Sequence, residues 1–265
     1  MGDESVTIVS RRAQPNPKSE GISIYPGLVV ILLQEAWTAK ARESAPGDGQ
    51  WCIARAACQH TFFQQSGLMT LSRFPVISGQ FYPFSHAAFP DRFVNKGVLK
   101  TTVRLANGQA LNIWNVHLQD GGSAAVRLSQ VRELEAWVRA AEDEQVADIV
   151  AGDFNCTPES PLYRELSDSF GPSAQELSGK APFVTFDGLS DKNGPRETLD
   201  HIFIRRSSPF QSVRVSPRTS IARDKISPLV IDVPLDLCGG RCSSPKETFG
   251  ELQQASVAIT LTHSE

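Results

Sequence analysis

The sequence predicts an α/β sandwich, two layered sheets with helices outside them. Three observations carry that reading. GLVVILLQEAW (27–37) is a continuous apolar run of strand length. Two alternating runs flank Asn107-Gly108 inside 94–122, and Asn-Gly is the strongest short-range hairpin signal. Between that hairpin and the next apolar run, residues 126, 128, 131, 134, 137 and 138 are apolar at helical spacing.

Taken in order, VTIVSRR begins with a short strand over 6–9. The run 27–37 reads as a strand buried on both faces and ends abruptly on Gln34-Glu35. SGLMTLSRFPVISGQFYPF (66–84) holds two apolar segments broken by Arg73 and Pro75, the pattern of neighbouring strands joined by a turn. The hairpin's second strand, ALNIWNVHLQ, leads to His117. A helix over 123–144 follows, with a serine start and a charged outer face. Then come the strand DIVAGDFN, the helix-like SPLYRELSDSF, a Gly/Pro/Ser-rich loop around 171–182, the strand TLDHIFIRR (198–206) and a last apolar run, SPLVIDVPL (227–235). The domain is expected over 1–237. Residues 238–265 form a Ser/Thr-rich tail in which SVAITLT could add a short strand.

At 265 residues the chain has room for one large domain with a substantial core. Its net charge of −3 supplies no overall basic field to draw it onto nucleic acid. The segment MGDESVTIVSRR has no apolar core of a secretory signal, and no run is long enough to span a membrane. The five cysteines lack zinc-site spacing, so the expectation is an intracellular chain with free thiols.

Several apolar runs end on polar residues suited to phosphate and metal chemistry: Glu35, His117, Asp153 with Asn155, and Asp200. In an extended chain Asp153 and Asn155, two apart, share a face. Each residue alone has a plain alternative as a turn residue, a satisfied histidine or an exposed strand-edge acid. Together they fit metal-assisted phosphodiester hydrolysis. Mg²⁺ takes one or two carboxylates and completes its shell with water and phosphate oxygens, while a carboxylate activates water.

LLQEAW, SGLMTLSRFPV, NKGVLKTTV, NIWNVHLQ, VAGDFNCTPES and TLDHIFI occur in that order over roughly 27–235. This series resembles the motifs of the endonuclease/exonuclease/phosphatase superfamily, the metal-dependent fold of deoxyribonuclease-I-like enzymes and neutral sphingomyelinases. The resemblance implies a four-layer αββα sandwich with two packed, mostly antiparallel sheets and a site at one rim. It implies that Glu35 holds Mg²⁺ (Mn²⁺ being the alternative ion) and that His117 binds the scissile phosphate. Asp153 would orient or deprotonate the attacking water, and Asn155 would hydrogen-bond the phosphate. Asp200 corresponds to the acid that pairs with a final histidine. The substrate is then a phosphodiester, either phospholipid or nucleic acid. FVNKGVLKTTVRLANGQ is more similar to the sphingomyelinase branch, whereas Arg73 and the pair Arg205-Arg206 could supply a basic rim for nucleic acid.

Both ends depart from the family pattern. Where Ser-Asp-His normally precedes the last strand, this chain has Asp224-Lys225-Ile226, and Ile226 cannot donate, accept or titrate. His263 is distant in sequence, and His201 follows Asp200 on a strand and so should point to the opposite face. Where the first strand normally carries a metal-side Asn, Ser10-Arg11-Arg12 stand, and Asn16 comes later between prolines. Three readings stay open: a family enzyme altered at its ends, a pseudoenzyme that binds a phosphorylated ligand or protein partner, and an enzyme in which Lys225 holds phosphate charge.

Overall fold

The computed structural model describes residues 8–12, 30–36, 51–56, 65–89, 91–105, 108–122, 124–143, 146–178, 184–186, 196–205, 212–218, 229–230 and 256–262. The strands 8–12, 212–218, 229–230 and 256–262 are described by their backbone.

Two five-stranded sheets dominate. In the first, the strands β1 (Ile8–Arg12), β2 (Val30–Gln34), β3 (Cys52–Arg55), β4 (Met69–Ser72) and β11 (Leu229–Val230) lie in the order β11-β1-β2-β4-β3. In the second, β5 (Val76–Pro83), β6 (Gly97–Arg104), β7 (Ala110–His117), β8 (Ala147–Asp153) and β9 (Asp200–Ile204) follow one another in chain order. The pairs β1–β2 and β7–β8 are parallel and the others antiparallel. A separate ribbon joins β10 (Ser212–Arg218) to β12 (Ser256–Thr262), so SVAITLT is a strand.

Alternation along the second sheet sorts its side chains into two cores. Leu111, Ile113, Ile149, Ala151, Ile202 and Ile204 face the first sheet and pack with Val30 and Leu32 of β2. Trp114, Val116, Val150 and Phe203 face the other way, into a second cluster with helices α1 (Ala124–Ala140) and α2 (Pro161–Phe170). Helix α1 buries Val131, Leu134 and Val138 against that face, and α2 buries Leu162, Tyr163, Leu166 and Phe170. Ser160 starts α2: its hydroxyl accepts the Tyr163 N–H at 3.1 Å, and Pro161 follows where a missing N–H costs nothing. The result is an α/β sandwich with helices on the outside of the second sheet. The helical layer over the first sheet that the family likeness implies is an expectation that falls outside the described residues.

Three expectations are corrected. The segments either side of Pro75 are not neighbouring strands, because β4 belongs to the first sheet and β5 edges the second by pairing with β6. The turn between them moves the chain across the sandwich. The hairpin connection is longer than two residues: the Leu105 N–H donates to the Gln109 carbonyl at 2.8 Å and the Gly108 N–H to Leu105 at 3.0 Å, with Gly108 at φ 87°. The Gly/Pro/Ser-rich loop contains a short helix, α3 (Ala174–Ser178).

Candidate functional site

Pairing sets Gly97 opposite His117, His117 opposite Asp153, and Asp153 opposite Asp200, one row across the end of the second sheet. All lie on the face turned toward the first sheet, since they share parity with Leu111, Ile149 and Ile202. His117 is fully buried, and Asp153 and Asp200 are buried as well, so Asp200 is not an exposed strand-edge acid. Glu35 arrives from the end of β2 with its side chain 18% exposed. His117 Nε2 is 3.9 Å from Glu35 Oε1 and 3.9 Å from Asp153 Oδ2, so the two carboxylates converge on one imidazole from different sheets. Asp200 stands one strand beyond Asp153, its backbone N–H donating to Thr185 Oγ1 at 3.0 Å.

Asp153 and Asn155 meet for a different reason than strand alternation. β8 ends at Asp153, and Asn155 turns back at φ 48°. Its N–H donates to Asp153 Oδ1 at 3.0 Å, an Asx turn, while its Nδ2 donates to the Leu118 carbonyl at 2.9 Å. The pair is therefore a turn as well as a candidate for the site, and the two readings do not exclude each other. Gly152 makes the approach possible: it sits at φ 143°, and a Cβ there would fall 2.1 Å from the Val116 carbonyl oxygen. Among the described residues, the non-glycine positions with positive φ are Glu35 (58°) and Asn155. Such conformations cost about 1–3 kcal/mol each and cluster at functional sites.

Two contributors were not evident in the sequence. Lys96, 5% exposed, spends its ammonium on His117 Nε2 (3.0 Å), the Leu118 carbonyl (2.8 Å) and Asp91 Oδ2 (2.8 Å). Accepting at Nε2 leaves the His117 proton on Nδ1. Asn115, on the same inward face, accepts from Gln34 Nε2 at 2.7 Å and donates to the carbonyls of Leu33 (3.2 Å) and Met69 (3.1 Å), tying the two sheets together just behind the site. The available signal was a polar residue in the inward series Leu111, Ile113, Asn115, His117.

Other candidates stand elsewhere. His201 points to the opposite face, as strand parity requires. Its Nε2–H donates to the Cys156 carbonyl at 2.8 Å among the rings of Phe154, Tyr163 and Phe203. Burial lowers its pKa to about 4. Burial likewise pushes the Cys156 thiol up to about 12, so it is no thiolate nucleophile at neutral pH. The basic rim is not built as expected. Arg205 pairs with Glu142 (3.0 Å) and Asp148 (3.9 Å), at the start of β8, and Arg73 stacks over Trp51 at 4.6 Å beyond the strand that pairs with the start of β2. Both lie at the sheet ends away from Glu35 and Asp153. Arg206, Asp224, Lys225, Ile226, His263 and Asn16 fall outside the described residues. β1 extends past the expected strand, and its register sets Arg12 beside Gln34.

The donor set suits a hard cation. Glu35 and Asp153 offer oxygen only, and Glu35 is partly exposed. Mg²⁺, which keeps several waters and needs one or two carboxylates, fits such a site, whereas a closed zinc site does not.

Comparison with known proteins agrees with this fold. The model of the Endonuclease/Exonuclease/phosphatase family matches residues 8–227. A putative neutral sphingomyelinase of Drosophila melanogaster is 25% identical over 202 residues, 66% of this chain and 44% of that protein. The chain spans less than half the length of the curated relatives it matches. Among solved structures, sphingomyelinase C from Streptomyces griseocarneus shares the fold with a TM-score of 0.66 at 18% identity, covering 97% of this chain and 99% of that one. A Staphylococcus aureus beta toxin variant with bound magnesium ions superposes with a TM-score of 0.58 at 16% identity, covering 84% and 94%. Among the described residues, no helix is long and apolar enough to cross a membrane.

Proposed function

The chain belongs to the Endonuclease/Exonuclease/phosphatase family, and from that premise we propose that it is a Mg²⁺-dependent phosphodiester hydrolase acting on a sphingolipid-type phosphodiester. The observation that carries the reading is the convergence of Glu35 and Asp153 on His117, with Glu35 and Asn155 both held at positive φ. Glu35 is the residue that would hold the ion, which when bound polarises the phosphoryl group and offsets its charge.

The protein's own residues do the rest. Asp153 Oδ2 takes a proton from the attacking water, while Oδ1 stays fixed by the Asn155 N–H. The second Nδ2 hydrogen of Asn155 is offered to a phosphoryl oxygen, the first being held by Leu118. Because Lys96 already donates to Nε2, the neutral imidazole has no proton to offer at that atom, and the positive charge beside it is the Lys96 ammonium. Water adds to phosphorus, one P–O ester bond breaks, and the products are a phosphomonoester and an alcohol.

The lipid reading is preferred to a nuclease. The sphingomyelinase relative supports it, and Arg73 and Arg205, spent in contacts at the far ends of the sheets, leave less for a duplex to grip. A second reading, a binding module for a phosphorylated ligand, is favoured by Ser10-Arg11-Arg12 in β1 and by Ile226. The deciding experiment is Mg²⁺-dependent hydrolysis of bis-p-nitrophenyl phosphate by the protein and by Asp153→Ala, followed by sphingomyelin and DNA as substrates. Equal rates in the two folded proteins would overturn the enzyme and leave the binding module.

A further inference from the structure

Most large apolar side chains of the described residues are in the two cores, and a scattered exposed one needs no explanation. Phe89 and Phe93 differ. They are 73% and 51% exposed, and they pack edge to face on each other at 6.4 Å. The guanidinium of exposed Arg92 lies over the Phe93 ring at 5.2 Å. The described residues around them are tied by hydrogen bonds. The Arg92 N–H donates to the Ala88 carbonyl and the Val94 N–H to Asp91, both at 2.8 Å, and the Ala88 N–H donates to Gln119 Oε1 at 2.9 Å. Asp91 Oδ2 accepts the Asp120 N–H at 2.7 Å and pairs with Lys96, the lysine bonded to His117. A cavity of about 390 Å³ is lined by both Arg92 and Lys96, together with Phe84 and His86. The two rings are thus displayed to solvent by a scaffold that runs directly into the candidate site.

We propose that this Phe89/Arg92/Phe93 turn docks the protein on a phospholipid surface. A stable protein interface buries about 1,200–2,000 Å², far more than two rings and one cation provide. A bilayer asks for less: apolar side chains that enter the headgroup boundary and a cation that meets lipid phosphate, with the Arg stem lying along the ring. Arg92 is complementary in charge to that phosphate. The inference rests on the lipid-phosphodiesterase reading for its sense, since docking here brings His117 and Lys96 toward the headgroups. Its test does not depend on catalysis.

The test is flotation with vesicles of phosphatidylcholine, and of phosphatidylcholine mixed with phosphatidylglycerol. Phe89→Ala/Phe93→Ala is expected to lower partitioning by about tenfold per ring. Arg92→Gln is expected to lower it on the phosphatidylglycerol vesicles alone, and Phe89→Trp should retain binding and show a blue-shifted emission with vesicles. Hydrolysis of bis-p-nitrophenyl phosphate without vesicles should be the same in all four proteins. Wild-type protein that floats no better than the double variant overturns docking, even if the soluble ester is hydrolysed. An intact soluble ester beside ring-dependent flotation overturns the catalytic reading and leaves docking standing. Flotation unchanged in the double variant, with self-association lost in ultracentrifugation, would overturn docking in favour of a contact between copies of the chain.

Discussion

His117 and His201 are both fully buried, on the two strands that flank β8, and the sheet between them gives them opposite chemistry. His117 faces the first sheet, where its Nε2 accepts from Lys96 at 3.0 Å and lies 3.9 Å from carboxylate oxygens of Glu35 and Asp153. His201 faces the helices, amid Phe154, Tyr163 and Phe203, where burial excludes the charged form down to pH about 4. Both are histidines without solvent, so burial does not identify a working histidine. What distinguishes them is which side of the sheet their position in the strand selects, and what the opposing layer places there.

The comparison is broken or sharpened by four changes. The largest effect is expected from Asp153→Asn, which keeps an acceptor for the Asn155 N–H and removes the base: hydrolysis should fall by about 10²–10⁴-fold, whereas His201→Phe should leave the rate unchanged. On the other face the effect is on stability. His201 has a folded pKa of about 4 against an ordinary 6.5, so the unfolded chain takes up its proton first as pH falls. Stability from this group is fully present above pH 6.5 and is lost between there and pH about 4. The loss amounts to about 3 kcal/mol. Denaturant unfolding across that window should show a shallower pH slope in His201→Phe than in the native protein. Asn115→Ala removes the partner of Gln34 and a donor to two carbonyls, and should cost about 1–3 kcal/mol in urea unfolding while also lowering the rate. Ser160→Ala removes the cap of α2, on the His201 face, and should cost about 1 kcal/mol with no kinetic effect.

The elements with strong periodicity were legible. The hairpin, α1 and the GDFN strand stand where alternation and helical spacing put them, because each buries one face and the period records it. The passage from β4 to β5 was not, since alternation tells a strand's buried side but not the sheet it joins. In the site, Glu35, His117, Asp153, Asn155 and Asp200 were readable as polar residues at the ends of apolar runs. Their supports were not. Lys96 meets His117 across 21 residues and Gln34 meets Asn115 across 81, and no local pattern encodes a pairing at that range. The Asn155 turn was read for its chemistry but with the wrong geometry, because φ is not visible in a string of letters.

Glu35 follows a strand of one sheet, and His117 and Asp153 belong to the other, so the spacing of the candidate site is a distance between two layers whose shared core is an apolar cluster. A slip of one residue along a strand, about 3.3 Å, would part the carboxylates without breaking a single ladder. The Asn115 carboxamide, anchored to Gln34, Leu33 and Met69, acts as the locating pin against that slip. Selection on a reaction would therefore be felt at an amide that never meets the substrate.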